Sequence, residues 1–409
     1  MKVALLNTLY HPYRIGGAER SVQLLAEGLV ARGHKVVVIT LDQPETPAKK
    51  ETINGVDVYR VPLHNNYWPF ADSYRKPSIV RRALWHCRDR YNKAMARQVE
   101  AILERERPEL LHTHNVTGFS VAVWNVAKSL ALPVVHTIRD YSLLCPRNAY
   151  RKGRNCSKAC LSCLPFLVPK RKASVAVDVV VGISRFVLER HLEWGFFPHS
   201  KRAVVYNPVG PTSCAESRFH GQEEGPLRIG FLGALAPHKG IEDLLRAVEE
   251  VNGQFPLRVL IAGKGERTYE VKLRERAKDL PVEFLGYVPA AELFSQIDIL
   301  AVPSRWHEPF GRIILEAYSN AIPVIASSRG GIPEIVDEGR TGWLYNPDDS
   351  KSLAHTLGKV YKQRNKLREM GIYARNKSLA FTVEAHVKQY LEIYRMAAAG
   401  GRNATFCNN

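Results

Sequence analysis

Acid is scarce in this chain of 409 residues: 40 Asp and Glu stand against 58 Lys and Arg, giving a formal net charge of +18. The excess falls mainly in the first half. Residues 147–172 hold eight Lys or Arg and no Asp or Glu, and 75–107 adds Arg81, Arg82, Arg88, Arg90, Lys93 and Arg97. The chain lacks the interleaving of aromatic and basic side chains that nucleic-acid binders use, which argues against a nucleic-acid partner. An anionic bilayer surface, an anionic acceptor or a merely solvated face all fit the charge.

Long hydrophobic runs are missing as well. The most apolar stretch, 175–183, is shorter than a membrane span and is broken by Asp178. The opening apolar run ends at Asn7, too early for a signal peptide, and reads instead as a first strand. A cytoplasmic protein is the expectation, peripheral at the inner membrane face if the basic segments meet lipid. On that expectation disulfides are disfavoured, and the acceptor patterns at Asn115 and Asn403 stay unglycosylated.

Apolar residues make up 45% of the chain, enough for two cores at this length. The pattern at 3–7, 18–32 and 36–40 is strand, helix, strand, with Val22, Leu25, Leu29 and Val30 as the helix's buried stripe. Further parallel strands are expected at 110–112, 133–136, 177–182 and 203–206. A polar segment rich in Gly, Pro, Ser and Glu then suggests a linker. The pattern restarts with a strand at 227–232, a helix at 241–251 and strands at 257–262, 282–285, 297–302 and 322–326. The expected domains are 1–210, with a Cys-rich basic insertion near 145–172, and 227–382, joined by a linker at 211–226. A last helix runs over 383–399. Repeated strand–helix–strand units predict an α/β protein of two doubly wound, Rossmann-like domains.

The stretch 303–317 carries the most chemistry. A buried strand ends at Pro303, Glu308 follows in the loop, Gly311 turns the backbone, and Glu316 lies inside an apolar helix. The helix start between the two acids offers unsatisfied N–H groups, a seat for phosphate. Acids flanking an anion seat suit a ligand with sugars on both sides of a diphosphate, a nucleotide-sugar.

Glu308-x7-Glu316, preceded by Pro303-Ser304 and followed by Gly330-Gly331-Ile332-Pro333-Glu334, resembles the retaining glycosyltransferases of family 4, which have the GT-B fold. Gly16-Gly17-Ala18-Glu19 and Lys239-Gly240 fall where that family has them, and the resemblance covers nearly the whole chain. It implies two domains facing across a cleft, with the donor mainly on the second and a saccharide or lipid-linked acceptor on the first. It implies a last helix crossing back to the first domain. Lys239 would neutralise the leaving diphosphate, which also meets Gly233, Phe310 and Gly311. The nucleobase would lie between the loops at Gly263 and at Tyr287-Val288. Glu316 would hold the ribose and Glu308 the hexose, each carboxylate accepting from a diol. Gly16-Gly17 would face the donor phosphates, His114 the anomeric centre, and His136 and Asp140 would line the acceptor side. No Asp-x-Asp motif occupies the site, so no catalytic metal is expected.

Two departures stand out. The family has Arg directly after the glycine of the strand at 227–232, where this chain has Ala234; Arg305 or Arg312 are candidate substitutes. The family often has His before the first-domain Asp, where this chain has Arg139. A sugar-nucleotide epimerase and a non-catalytic scaffold share the same architecture, and Ala234 favours the scaffold. Cys145, Cys156, Cys160 and Cys163 follow C-x10-C-x3-C-x2-C, which fits either a structural zinc site ordering the insertion or free thiols. Cys87, Cys214 and Cys407 look unrelated.

Overall fold

The computed structural model describes residues 1–13, 15–70, 77–210 and 225–400. Most of the expected linker at 211–226, the end of the tail, Cys214 and Cys407 lie outside the described residues. Among the described residues sixteen strands run in chain order: β1 Lys2–Leu6, β2 Lys35–Asp42, β3 Lys49–Ile53, β4 Val56–Pro62, β5 Leu110–Thr113, β6 Val134–Ile138, β7 Tyr150–Arg151, β8 Arg154–Asn155, β9 Val179–Gly182, β10 Lys201–Val204, β11 Leu227–Leu232, β12 Leu257–Ala262, β13 Val282–Gly286, β14 Ile299–Val302, β15 Val324–Ser327 and β16 Gly342–Tyr345.

Two compact units result. The first comprises Met1–Ala149, Cys156–Pro208 and Val383–Asn409; the second comprises Tyr150–Asn155 and Val209–Thr382. The first is built on an eight-stranded sheet of order β10-β9-β6-β5-β1-β2-β4-β3. All its pairings are parallel except β3 with β4. That antiparallel hairpin is absent from the strands expected above. Its turn holds Asn54 and Gly55 at φ 51° and 79°, the conformation that a two-residue Asn-Gly hairpin loop requires.

Helix Gly17–Val30 places Val22, Leu25 and Leu29 against Val3, Leu5, Val36 and Val38, so the periodicity reads out as core. The helix Val383–Gly400 packs in this same unit through Val387, Tyr390, Ile393, Tyr394 and Ala397, one helical face. Gly28 admits it: a Cβ there would stand 2.6 Å from Val387 Cγ2. Each such buried aliphatic contributes roughly 1.5–3 kcal/mol relative to exposure.

The second unit has a six-stranded parallel sheet of order β13-β12-β11-β14-β15-β16, with β16 the strand that the sequence pattern missed. Its core includes Ile229, Phe231, Leu244, Leu245, Val248, Val259, Ile261, Ile299 and Ile325. In each sheet, successive strands are laid down first to one side of the opening strand and later to the other. The order therefore reverses beside β1 in the first unit and between β11 and β14 in the second. Ligands of open α/β sheets bind outside the carboxyl ends of strands at such reversals.

Candidate active site

In the second unit the reversal brings together the loops after β11 and β14. Gly240 (φ 74°) makes this approach possible, since a Cβ there would stand 1.7 Å from the Pro303 carbonyl oxygen. The His238 carbonyl then accepts from Arg305 N at 3.0 Å, Trp306 N at 3.2 Å and Ser304 Oγ at 3.3 Å. Thus fixed, the two loops place Lys239 Nζ 2.6 Å from Glu308 Oε1. Trp306 lies beneath the ammonium, its ring centroid 5.8 Å away. A third loop closes on Glu308 from behind. Gly331 N donates to the Glu308 carbonyl at 2.8 Å, and a Cβ on Gly330 would lie 2.1 Å from that oxygen. Glu308 is 8% exposed, so its charge depends on Lys239 for compensation.

A further clamp on this loop comes from far away in the chain. Asn155, at the end of the β7–β8 hairpin, donates through Nδ2 to the Arg305 carbonyl at 2.8 Å. Its Oδ1 accepts from His307 N at 2.9 Å. The amide thus satisfies two backbone groups immediately before Glu308. Tyr150 of the same hairpin meets His238 edge-on at 6.2 Å. Within the insertion expected in the first domain, Tyr150–Asn155 belongs instead to the second unit, while 145–149 and 156–172 stay in the first.

Glu316 sits on helix Arg312–Ser319, which starts at Gly311. Arg312 Nε donates to Glu316 Oε1 at 2.9 Å, one helical turn apart. Arg305 is paired in a two-pronged fashion with Asp243 of helix Ile241–Val251. Both arginines considered as replacements for a cation at Ala234 are thereby committed to carboxylates of their own unit. Phe310 is buried, 2% exposed.

At the other side of this sheet, Gly263 N donates to the Gly286 carbonyl at 2.6 Å, and a Cβ on Gly263 would stand 1.8 Å from the Gly233 oxygen. The loops after β11, β12 and β13 are therefore in register. Tyr287 stands 75% exposed beside half-buried Val288, with Lys264 Nζ 5.9 Å from its ring centroid. It is an open aromatic face suited to a planar base.

In the first unit, polar residues gather past the ends of β1, β5 and β6. Asn7 Oδ1 accepts from Asn115 N at 3.0 Å, and Asn115 Nδ2 donates to Asp140 Oδ2 at 3.2 Å. Gly16 caps helix Gly17–Val30, its N–H donating to Glu19 Oε2 at 3.0 Å; Gly16 and Gly17 are exposed.

His114 is buried at 1% exposure. Its Nδ1 accepts from Arg139 Nε at 3.3 Å and Nη2 at 3.2 Å, and Arg139 Nη1 donates to Asn207 Oδ1 at 2.7 Å. An accepting Nδ1 leaves the proton on Nε2, and that N–H has no partner among the described residues. Burial first, then His112 and Arg139, hold the ring's pKa well below its usual range, so it is neutral. The sequence singled out Arg139 only as a departure; the structure gives it the task of orienting His114.

One expectation is corrected. His136 does not line a cleft: its ring stacks on Phe197 at 5.6 Å, meets Trp124 at 5.0 Å and pairs with Thr113 Oγ1 at 2.9 Å. It is a core residue of the first unit, its pKa lowered to about 3 chiefly by burial. The His112 ring lies 4.0 Å from that of His114 and is tied at both nitrogens, to Tyr394 Oη and Thr137 Oγ1 at 2.8 Å each.

The cysteines converge in part. Cys145 Sγ lies 3.2 Å from Cys163 Sγ, which lies 3.4 Å from Cys160 Sγ. Arg147 N points at Cys145 Sγ at 3.3 Å. Burial and the neighbouring thiols push the Cys163 pKa up, whereas Ser162 and Cys163 lower that of Cys160 to about 7. Among the described residues no set of three or more His, Cys, Asp or Glu stands ready to hold a metal ion. The thiols are in contact rather than spread into a cage.

Two doubly wound sheets, with a lysine, a buried glutamate and a helix start at the reversal of the second, define a GT-B glycosyltransferase. Comparison with solved structures bears out the fold. The sucrose-phosphate synthase of Thermosynechococcus elongatus matches with a TM-score of 0.74 at 20% identity, covering 98% of this chain and 99% of that one. HepE of Anabaena, solved in complex with UDP, matches at 0.70 and 20% identity, covering 97% and 100%. Residues 16–208 match the glycosyl transferase 4-like domain, and residues 215–377 match glycosyl transferases group 1. An uncharacterized 42.6 kDa protein of the cps region of Klebsiella pneumoniae is 34% identical over 82% of this chain and 87% of its own. An uncharacterized glycosyltransferase of Methanocaldococcus jannaschii is 30% identical over 88% and 89%. The chain belongs to the group 1 glycosyltransferases of family 4.

Proposed function

We propose that this glycosyltransferase moves a hexose-type sugar from a nucleotide-diphosphate sugar to a saccharide or lipid-linked acceptor, with retention at the anomeric carbon, in cell-surface glycan synthesis. It would work in the cytoplasm, at the inner face of the membrane. The Lys239–Glu308 pair at the carboxyl end of the second sheet carries this reading. In the unliganded protein the two charges satisfy each other. A donor replaces both halves of that contact: its diphosphate takes the ammonium, and its sugar hydroxyls donate to the carboxylate. The start of helix Arg312–Ser319 adds backbone N–H groups to the leaving phosphates. Tyr287 stacks on the base, and Glu316 takes the ribose, exchanging Arg312 for hydroxyls. His114 contributes its one free N–H to the reacting sugar, and Asp140 stays on the acceptor side. No metal takes part in the transfer. Two likenesses support the choice of donor and setting: HepE is also solved with UDP-glucose, and the Klebsiella relative lies in a cps region.

The thiols are proposed to bind a structural zinc. Four thiolates at 2.3 Å from the ion would lie roughly 3.8 Å apart, so the contacting sulfurs would open by about half an ångström. Such an ion would fix both flanks of the β7–β8 hairpin and take no part in transfer.

A non-catalytic scaffold keeps one point in its favour, the lack of a cation at Ala234 with Arg305 held by Asp243. Release of nucleoside diphosphate from a panel of nucleotide-sugars decides between the two. Turnover of one donor, lost in Lys239→Ala, is expected; no turnover of any donor, with and without saccharide acceptors, sinks the enzymatic reading.

A further inference from the structure

Helix Ile79–Asp89 is amphipathic in an inverted sense. At 100° per residue, Ile79, Val80, Ala83, Leu84 and Cys87 form one stripe about 140° wide. That stripe faces solvent: Ile79 is 84% exposed, Val80 69% and Leu84 55%, while Ala83 and Cys87 are exposed too. The buried side holds Trp85, whose Nε1 donates to the Tyr67 carbonyl at 3.1 Å, and Asp89, which accepts from Gly118 N at 2.6 Å. Arginines rim the stripe: Arg81 and Arg88 on one edge and Arg82 on the other, all exposed. The helix's single acid is the buried Asp89, so the charge that it shows to solvent is all positive.

The neighbouring element continues the pattern. Arg90 donates to the Pro165 carbonyl at 3.3 Å, and His86 meets Phe166 edge-on at 6.0 Å. This joins the helix to Leu164–Ala173, at whose start Leu161 is 87% and Leu164 38% exposed. The segment around it, 147–172, is the one with eight basic and no acidic residues.

We infer that this apolar stripe with its arginine rim is the surface by which the first unit lies on an anionic lipid bilayer. Apolar side chains at this spacing enter the boundary between headgroups and acyl chains, while arginines at the rim reach lipid phosphates. A second copy of the chain is the poorer occupant, because a two-fold contact through this stripe would set arginine against arginine. The inference does not depend on the chemistry assigned to Lys239 and Glu308.

Flotation of the full chain with phosphatidylcholine vesicles, alone and with added phosphatidylglycerol, tests it. Binding is expected only with the anionic lipid and should weaken as salt is raised. Ile79→Ser/Leu84→Ser should lower it roughly tenfold or more, and Arg82→Glu/Arg88→Glu by at least a similar factor. Donor turnover in free solution and the unfolding temperature should not change in either variant, since these side chains are exposed. Three results would overturn the inference: no flotation of the wild type with anionic vesicles, equal binding by the variants, or a dimer in sedimentation that Ile79→Ser/Leu84→Ser turns into monomer.

Discussion

Arg139 reaches His114 with two nitrogens, at 3.3 and 3.2 Å, and so decides which nitrogen of a buried imidazole carries the proton. Arg139→Met would leave His114 Nδ1 without a donor and free the ring to adopt the other tautomer. If Nε2–H meets the reacting sugar, the turnover number should fall about 10- to 100-fold with little change in KM for the donor. Arg139→Lys should recover part of the loss. Steady-state kinetics on the three proteins checks this; equal losses in KM and stability would reduce Arg139 to a structural residue.

Asn155 is the second positioning residue, and its removal frees two backbone groups before Glu308. Asn155→Ala should weaken donor binding about fivefold to thirtyfold, the effect of about 1–2 kcal/mol for two hydrogen bonds. Donor titration by calorimetry measures it. Unfolding of the first unit, followed by Trp124 or Trp85 fluorescence, should be unaffected.

Acid should destabilise the fold earlier than carboxylate titration alone would. Burial, the first cause in each case, lowers the pKa of His112 and His114 well below the usual range, that of His136 and His386 to about 3, and that of His191 to about 4. Below about pH 6.5 the unfolded chain takes up protons that these native rings refuse. Stability is therefore flat above neutrality and falls with pH through the window between about 6.5 and the depressed native values. The loss is on the order of 1 kcal/mol per histidine by about pH 5.5. Denaturant midpoints between pH 7.5 and 5 test it; a constant midpoint would contradict the burial.

The thiols give a plain measurement. One equivalent of zinc per purified chain is expected, lost in Cys160→Ser and on chelation, with donor turnover in metal-free buffer reduced only as far as the β7–β8 hairpin loosens. Absence of zinc, or a Cys145–Cys163 disulfide under reducing purification, would contradict the metal.

Much of this was legible because parallel strands and their following loops advertise themselves. Buried runs such as 227–232 and 257–262, each with a glycine directly after it, and 297–302 with Pro303, supplied the sheet's strands, and with them the placing of Lys239 and Glu308 in the loops between strand and helix. The β3–β4 hairpin carries a strong local signal in Asn54-Gly55, but its first strand, Lys49–Ile53, is too polar and exposed to show a buried-strand pattern. Asn155 and Arg139 were beyond local reading. Asn155 acts 152 residues from its partner His307, and Arg139 acts through a side chain that only the sheet brings near. His136 shows the converse: expected to line the acceptor side, it sits in the middle of β6 with Trp124 and Phe197 around it.

The most direct test is nucleoside-diphosphate release by wild type and Glu308→Gln, with the preferred donor and the same unfolding temperature in both. The glutamine keeps the shape of Glu308 and removes the charge that grips Lys239 and that is proposed to hold the sugar. Turnover lower by about 100-fold is expected; turnover equal to the wild type would contradict a donor site built on the Lys239–Glu308 pair.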